Sequence, residues 1–165
     1  MKNETLPRRN ISAVFFDLDA TLIHAQEEEP DVQTPEKAVP YGPYYVWLRP
    51  CARELIATAG RAMIPLYICT SSERLYADGI TRLFDLGFGE QQILGCEHML
   101  SGVMNLAPNS VLIDDLPVSD EIAVFKRRVL GITPEHYFQV PPFTATHFLP
   151  EQDLVFALSR FLQLH

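Results

Sequence analysis

The sequence predicts an α/β fold, with a mainly parallel sheet covered by helices on both faces. Three observations support this fold class. Apolar, strand-like runs alternate with amphipathic helical stretches at short intervals. A chain of 165 residues that is 47% hydrophobic is long enough for one domain with a sizeable core. The apolar runs also end in carboxylates or hydroxyls, and the strand ends of open α/β sheets are where ligands bind.

The first strand is predicted over residues 11–17, after ten polar residues that we expect to form a flexible N-terminus. The stretch 11–24 reads I-S-A-V-F-F-D-L-D-A-T-L-I-H. Its apolar run ends in Asp17 and Asp19, with a hydroxyl at Thr21. The charge is thus concentrated where a buried strand ends, rather than spread along a solvent-facing side.

Residues 25–43 differ in character, because they contain three consecutive glutamates and four prolines and little apolar material. We expect a surface flap there, without a core of its own. The run Y-Y-V-W-L at 44–48 predicts a short strand. Pro50 favours the first turn of a helix over 51–59, with Gly60 as its C-cap.

The second half repeats the alternation of strand and helix. An apolar strand over 63–70 ends in hydroxyls at Thr70, Ser71 and Ser72, and an amphipathic helix follows. Residues 91–109 give no clear assignment. The remaining predicted elements are a strand over 111–113 that ends in Asp114 and Asp115, a helix over 120–128, a short strand over 136–140 and a closing helix over 150–164.

Composition limits the function. The 21 acidic residues outnumber the 13 lysines and arginines, and the net charge of −8 argues against nucleic-acid binding through phosphate neutralisation. The three cysteines, Cys51, Cys69 and Cys96, fit reduced thiols in the cytosol better than a disulfide framework. No stretch has the length of a membrane span, and the first ten residues lack the apolar core of a signal peptide. We therefore expect a cytoplasmic protein without a membrane partner.

The carboxylates predict a metal site. Parallel strands open on one edge of the sheet, so Asp17, Asp19, Thr70 and Asp114 should meet in one crevice. Carboxylates at close range repel one another unless a cation is present, and Mg²⁺ is a cation that prefers oxygen ligands. A carboxylate can also attack phosphorus while a second one carries a proton.

The residues in this crevice resemble a known signature. D-L-D-A-T-L-I-H at 17–24 is similar to the D-x-D-x-T motif of haloacid-dehalogenase-like phosphatases. More narrowly, the chain resembles RNA polymerase C-terminal-domain phosphatases and NLI-interacting-factor-like domains. The supporting blocks follow in the family's order: Y-V-W-L-R-P at 45–50, Y-I-C-T-S-S-E-R-L-Y-A-D at 67–78, V-L-I-D-D-L-P at 111–117, and the closing helix.

The resemblance implies a role for each matching residue. Asp17 would be the nucleophile and a metal ligand. Asp19 would be the general acid and would offer its backbone carbonyl to the metal. Thr70 would bind the transferring phosphoryl group, and Asp114 would complete the metal site. Asp115 stands where this branch often has asparagine, and we expect it to be a ligand or a neighbour of one.

Three further residues are expected to contact the substrate phosphate, namely Thr21, Ser71 and Arg49. The family's lysine is missing, because the sequence contains none between Gly79 and Asp115. A gap-free alignment with the family's K-D-L-S places His98 at the lysine position, so we expect His98 to supply the positive charge. The other candidates for this charge are Arg82, Lys126 and Arg49.

The sequence thus predicts a Mg²⁺-dependent phosphomonoesterase that forms an aspartyl-phosphate. The chain has no room for a large cap domain, and an open site suits a phosphorylated protein or peptide. Two alternatives stay open. One is a binding module that keeps the fold with little or no catalysis, and the other is a phosphatase of nucleotides or nucleic-acid ends.

Overall fold

The structure is a computed structural model that describes residues 11–30, 37–101, 109–144 and 151–162. The predicted flexible N-terminus over 1–10 lies outside these residues, as do residues 31–36 of the predicted flap and the last residues of the predicted closing helix.

The described chain contains strands in two sheets. A five-stranded parallel sheet has the strand order β6-β5-β1-β7-β8, and a three-stranded antiparallel sheet has the order β2-β4-β3. The bounds are β1 Val14–Phe16, β2 Ile23–Gln26, β3 Val39–Tyr41, β4 Tyr44–Leu48, β5 Leu66–Cys69, β6 Ile93–Leu94, β7 Val111–Asp114 and β8 Tyr137–Gln139.

Helices cover both faces of the parallel sheet. Val14 and Phe16 of β1 belong to the apolar cluster on one face, and Phe15 belongs to the cluster on the other. Successive strand residues therefore point to opposite layers. The first face carries α1 Ala52–Gly60, α2 Arg74–Leu83 and α5 Gln152–Phe161, and the second carries α3 Cys96–Leu100 and α4 Glu121–Leu130. The predicted α/β fold with a mainly parallel sheet is confirmed.

The predicted flap contains regular structure. β2 and β3 pair antiparallel with β4 on either side of it, and Ala25 and Tyr41 pack against the main apolar cluster. The sequence predicted a surface flap without a core of its own, and the described part of it forms strands that pack on the core of the main sheet. The strand predicted at 44–48 is present, and it lies in this second sheet.

Two elements between 91 and 101 escaped prediction, because β6 has two residues and α3 has five. Such short elements give too few positions for a periodic pattern. The first helix also runs through Gly60, so that Arg61 rather than Gly60 is its C-cap.

All three cysteines are free thiols in the structure. Within the described ranges, no helix combines the length and the apolar character that a membrane crossing requires. The cytoplasmic location stays a prediction.

Candidate active site

The candidate site lies at the carboxyl ends of β1 and β7, the neighbouring strands at which the strand order changes direction. From β1 the chain continues to β5 and the β6 edge, and from β7 it continues to β8 at the other edge. Such a switch point opens a crevice at the carboxyl ends of the two strands. Asp17 follows β1 and donates its backbone N–H to the Ile113 carbonyl (2.8 Å), while Asp114 ends β7. The two carboxylates therefore start from neighbouring strands at this edge.

Lys126 of α4 lies between these carboxylates. Its Nζ donates to Asp17 Oδ1 at 2.7 Å and to Asp114 Oδ2 at 2.9 Å. All three side chains are buried, and Lys126 is only 1% exposed. Ala123 and Leu130 of the same helix are buried as well, so Lys126 lies on the stripe that α4 packs against the sheet. The positive charge beside Asp17 thus comes from a lysine in the helix after β7, whereas the resemblance placed the lysine before β7 in the sequence.

Burial dominates the electrostatics of this trio. It raises the pKa of Asp17 to about 7, with Lys126 acting in the opposite direction and Asp114 adding to the rise. Burial also lowers the pKa of Lys126, but its two carboxylate partners outweigh burial and hold that pKa above its ordinary value. Lys126 therefore stays charged at neutral pH, and its charge offsets the desolvation cost of the buried carboxylates.

A third carboxylate completes an acidic group. Asp17, Asp114 and Asp115 each offer one oxygen within 4.8 Å of the others. Burial, followed by the charge of Asp114, raises the pKa of Asp115. With all three ionised and Lys126 charged, the group keeps an excess of two negative charges. A divalent cation with a preference for oxygen ligands, such as Mg²⁺, fits this donor set and this charge.

Hydrogen bonds hold the carboxylates in place. Thr21 Oγ1 lies 3.4 Å from Asp17 Oδ2 and 3.2 Å from Asp115 Oδ1, and it can donate to one of them at a time. The second oxygen of Asp114 accepts the backbone N–H of Leu116 at 2.9 Å. Thr21 is fully buried. Its hydroxyl therefore orients two acidic side chains, whereas the sequence predicted a substrate contact.

Asp19 faces a different space. Its carboxylate lines an open cleft of about 590 Å³ together with Ala25, Tyr44, Ser71, Ser72, Glu73, Tyr76 and Cys96. Ser72 Oγ donates to Asp19 Oδ2 (2.9 Å), and the Tyr76 hydroxyl donates to Oδ1 (3.0 Å). The two aspartates of the D-x-D pair therefore have different surroundings. Asp17 belongs to the buried acidic group, and Asp19 belongs to the accessible cleft.

The hydroxyl block after β5 lies at the same edge. Thr70 is fully buried, and its Oγ1 accepts the backbone N–H of Ser72 at 3.1 Å, which leaves the hydroxyl hydrogen to donate elsewhere. Ser71 is exposed and lines the cleft. Both positions are compatible with the phosphate contacts that the sequence predicts for them, and those contacts stay predictions.

Arg49 does not face the cleft. Its guanidinium is 1% exposed and donates to Glu151 Oε1 (2.7 Å), to the Thr21 carbonyl (2.8 Å) and to the Pro141 carbonyl (2.8 Å). It therefore fastens the D-x-D-x-T loop to the start of α5 and to the segment after β8. The sequence interpretation of Arg49 as a phosphate ligand is corrected to a structural role.

His98 also differs from its predicted role. It lies in α3 with its side chain 40% exposed, and Nδ1 accepts the backbone N–H of Gly95 at 3.3 Å. This contact caps the start of α3. The cation beside Asp17 is Lys126 instead, because the gap-free alignment could not show that the charge comes from a helix beyond Asp114.

The parallel sheet and the aspartate pair after its first strand agree with the class that the sequence resembles, the haloacid-dehalogenase-like phosphatases. Within it, the sequence matches NLI interacting factor-like phosphatases over residues 12–146. The chain belongs to this family. The predicted family of phosphatases is therefore confirmed, while no curated protein sequence gives a significant match.

Two solved structures share the fold. One is the fission yeast RNA polymerase II CTD phosphatase Fcp1, an arginine-to-alanine variant bound to beryllium fluoride, with a TM-score of 0.52 and 17% identity. The match covers 82% of this chain and 43% of that one. The other is described as Fcp1, an essential RNA polymerase II CTD phosphatase, with a TM-score of 0.53, 19% identity, and coverage of 93% and 49%. The chain thus spans less than half the length of either structure.

Proposed function

We propose that this chain is a Mg²⁺-dependent phosphomonoesterase that forms an aspartyl-phosphate on Asp17. The observation that carries the proposal is the buried Asp17–Lys126–Asp114 group at the switch point. A nucleophilic carboxylate and the cation that could offset phosphate charge are in contact there. Asp19 is available as an acid in the adjoining cleft.

In the first step, an oxygen of Asp17 attacks the phosphorus, and the bond from phosphorus to the leaving oxygen breaks. The protonated Asp19 carboxyl gives its proton to that oxygen, so the products are an alcohol and a phosphorylated Asp17. Lys126 holds Asp17 in position and offsets the negative charge that gathers near it. Thr70 and Ser71 donate hydrogen bonds to the oxygens of the transferring group.

In the second step, water attacks the phosphorus of the aspartyl-phosphate. The Asp19 carboxylate accepts the water proton, and the bond between phosphorus and Asp17 breaks. The products are inorganic phosphate and a regenerated Asp17 carboxylate, with Asp19 protonated again for the next cycle. One pair of carboxylates therefore serves both steps.

Mg²⁺ would be held by Asp17, Asp114 and Asp115, whose oxygens lie within 4.8 Å of one another. The bound ion would supply positive charge for the oxygens of the phosphoryl group. The backbone carbonyl of Asp19 is a further ligand that the family resemblance suggests.

The substrate that we propose is a phosphorylated protein or peptide. The cleft beside Asp19 is open, and the solved relatives are named as phosphatases of a protein segment, the RNA polymerase II CTD. The chain's net charge of −8 also disfavours a polyanionic nucleic acid. The alternative of a binding module with little or no catalysis was based on the absent lysine. Lys126 makes this alternative weaker, because it supplies a positive charge beside Asp17.

Hydrolysis of p-nitrophenyl phosphate, measured with Mg²⁺ and with excess chelator, tests the proposal. We expect turnover that requires Mg²⁺ and that is lost in Asp17→Asn. Asp153→Asn removes an exposed carboxylate from α5 and should keep wild-type activity. Wild-type protein without metal-dependent turnover would refute the enzyme and leave the binding module. Comparing a phosphoserine peptide, a 5′-nucleotide and a phosphorylated oligonucleotide then separates the substrate classes.

A further inference from the structure

Both oxygens of Asp19 are hydrogen-bonded by side chains from the segment after β5. Ser72 Oγ donates to Oδ2 at 2.9 Å, and the Tyr76 hydroxyl, in α2, donates to Oδ1 at 3.0 Å. A carboxyl group with one donor on each oxygen has little freedom to rotate about its side-chain torsions. Each oxygen keeps a second lone pair, so the group can still carry and transfer a proton.

Tyr76 is itself held by the flap sheet. Its ring makes edge-on contacts with Tyr44 of β4 (centroids 5.8 Å apart, 72° between planes) and with Tyr41 of β3 (6.1 Å, 65°). Aromatic pairs in this arrangement attract one another beyond their buried area. Gly79, one turn further along α2, makes room for Tyr41, because a Cβ at that position would collide with the tyrosine ring. The three rings thus connect the flap to α2.

The hydroxyl of Tyr76 is the donor of the hydrogen bond to Asp19. Burial and the neighbouring Asp19 charge both raise the pKa of Tyr76 above its ordinary value. An ordinary tyrosine hydroxyl is already protonated near neutral pH, so the hydrogen bond to Asp19 does not depend on this shift.

We propose that Tyr76 is a positioning residue for Asp19, with Ser72 as the second anchor and the Tyr41–Tyr44 pair as the support that connects it to the flap. This inference rests on the proposed function, in which Asp19 protonates the leaving oxygen. A proton donor that is displaced by about 1 Å can lose on the order of 100-fold in rate. Tyr76 acts through Asp19 and need not contact the substrate's phosphoryl group.

The leaving group provides the test. A p-nitrophenolate leaves readily without a proton, whereas the alkoxide of a phosphoserine peptide requires one. In Tyr76→Phe, single-turnover release of the leaving group should slow by about 10- to 100-fold for the phosphoserine peptide, and by less than about 3-fold for p-nitrophenyl phosphate. Asp19→Asn should show the same split more strongly. Tyr67→Phe removes a tyrosine hydroxyl from the opposite face of the sheet and should change neither rate.

Ser72→Ala serves as a second variant that leaves the tyrosine rings in place, and it should give a split in the same direction. If Asp19→Asn gives the split while Tyr76→Phe and Ser72→Ala slow both substrates equally, or neither, then Tyr76 does not position Asp19 and the proposed function stands. If Asp19→Asn gives no split, Asp19 is not the acid, and the role of Tyr76 fails together with that part of the mechanism.

Discussion

Replacing Lys126 with methionine removes one charge from the centre of the site while keeping a side chain of similar length. The ammonium contacts Asp17 at 2.7 Å and Asp114 at 2.9 Å, and both carboxylates are almost fully buried. Methionine would leave the two buried acidic groups without a positively charged partner. The variant therefore isolates the contribution of this cation.

The expected loss is large compared with the stability of a small domain. Breaking a buried ion pair by removing one partner costs about 3–5 kcal/mol. The two pairs share one ammonium, so their losses overlap and do not simply add. We therefore expect Lys126→Met to lower the free energy of unfolding by about 3–5 kcal/mol in the absence of metal, out of a total of roughly 5–15 kcal/mol.

Mg²⁺ should recover part of this loss. Urea unfolding with chelator and with millimolar Mg²⁺ gives the stabilisation by the metal, which reaches about 2.7 kcal/mol when the metal is at 100 times its Kd. The gain should be larger in Lys126→Met than in wild type, because the variant lacks the competing ammonium. Activity should still fall about 100- to 1,000-fold, since the charge near the phosphoryl group is missing.

Arg128→Met is the matched control, because it removes an exposed cation from the same helix. It should change the free energy of unfolding by less than about 0.5 kcal/mol. Equal unfolding midpoints for the two variants, with equal responses to Mg²⁺, would refute the reasoning about Lys126.

Three smaller changes test other parts of the site. Ala20 has a left-handed backbone (φ 60°), which is strained for a residue with a Cβ, so Ala20→Gly should raise the free energy of unfolding by about 0.5–1 kcal/mol in urea denaturation. A lower urea midpoint for the variant would show that Ala20 is not strained. His98→Ala should keep kcat/KM within about 3-fold of wild type and lower the free energy of unfolding by about 0.5–1 kcal/mol, because the cap of α3 is lost. A tenfold loss of kcat/KM would indicate that His98 takes part in the reaction. Arg49→Lys should lower the free energy of unfolding by about 2–3 kcal/mol and leave KM unchanged, because one ammonium cannot reproduce the three hydrogen bonds of the buried guanidinium. A raised KM at unchanged stability would make Arg49 a substrate ligand.

The rule that parallel strands end at one edge of the sheet predicted where Asp17, Asp114 and Thr70 lie. A strand that ends in Asp17 and another that ends in Asp114 must bring these residues to one edge if the sheet is parallel. Thr70 follows by the same rule from β5. The pattern of apolar residues gave the helices and strands around these positions to within a few residues at each end.

The identity of the cation could not be predicted in this way. It depends on how α4 packs on the sheet, and Lys126 is twelve residues from Asp114 and far from Asp17 in sequence. One signal was present, since Lys126 lies on the apolar stripe formed by Ala123 and Leu130. A lysine on the buried face of a helix needs a charged partner. Lys126 was among the candidate cations of the sequence, although His98 was preferred.

The burial of Arg49 and the structure of the flap also depend on tertiary contacts. Arg49 binds groups from three distant parts of the chain, and no local pattern connects them. β2 and β3 are short and rich in polar residues or proline, so they depend on pairing with β4 and on packing against the main apolar cluster.

Chemical trapping of the intermediate tests the central claim, that Asp17 becomes phosphorylated, most directly. An aspartyl-phosphate is an acyl phosphate, which borohydride reduces to homoserine, and peptide mass spectrometry locates the product. Protein quenched in acid during turnover and then reduced should contain homoserine at position 17, and Asp17→Asn treated in the same way should contain none. Steady hydrolysis with an unmodified Asp17, or a reduced product at another aspartate, would contradict the mechanism.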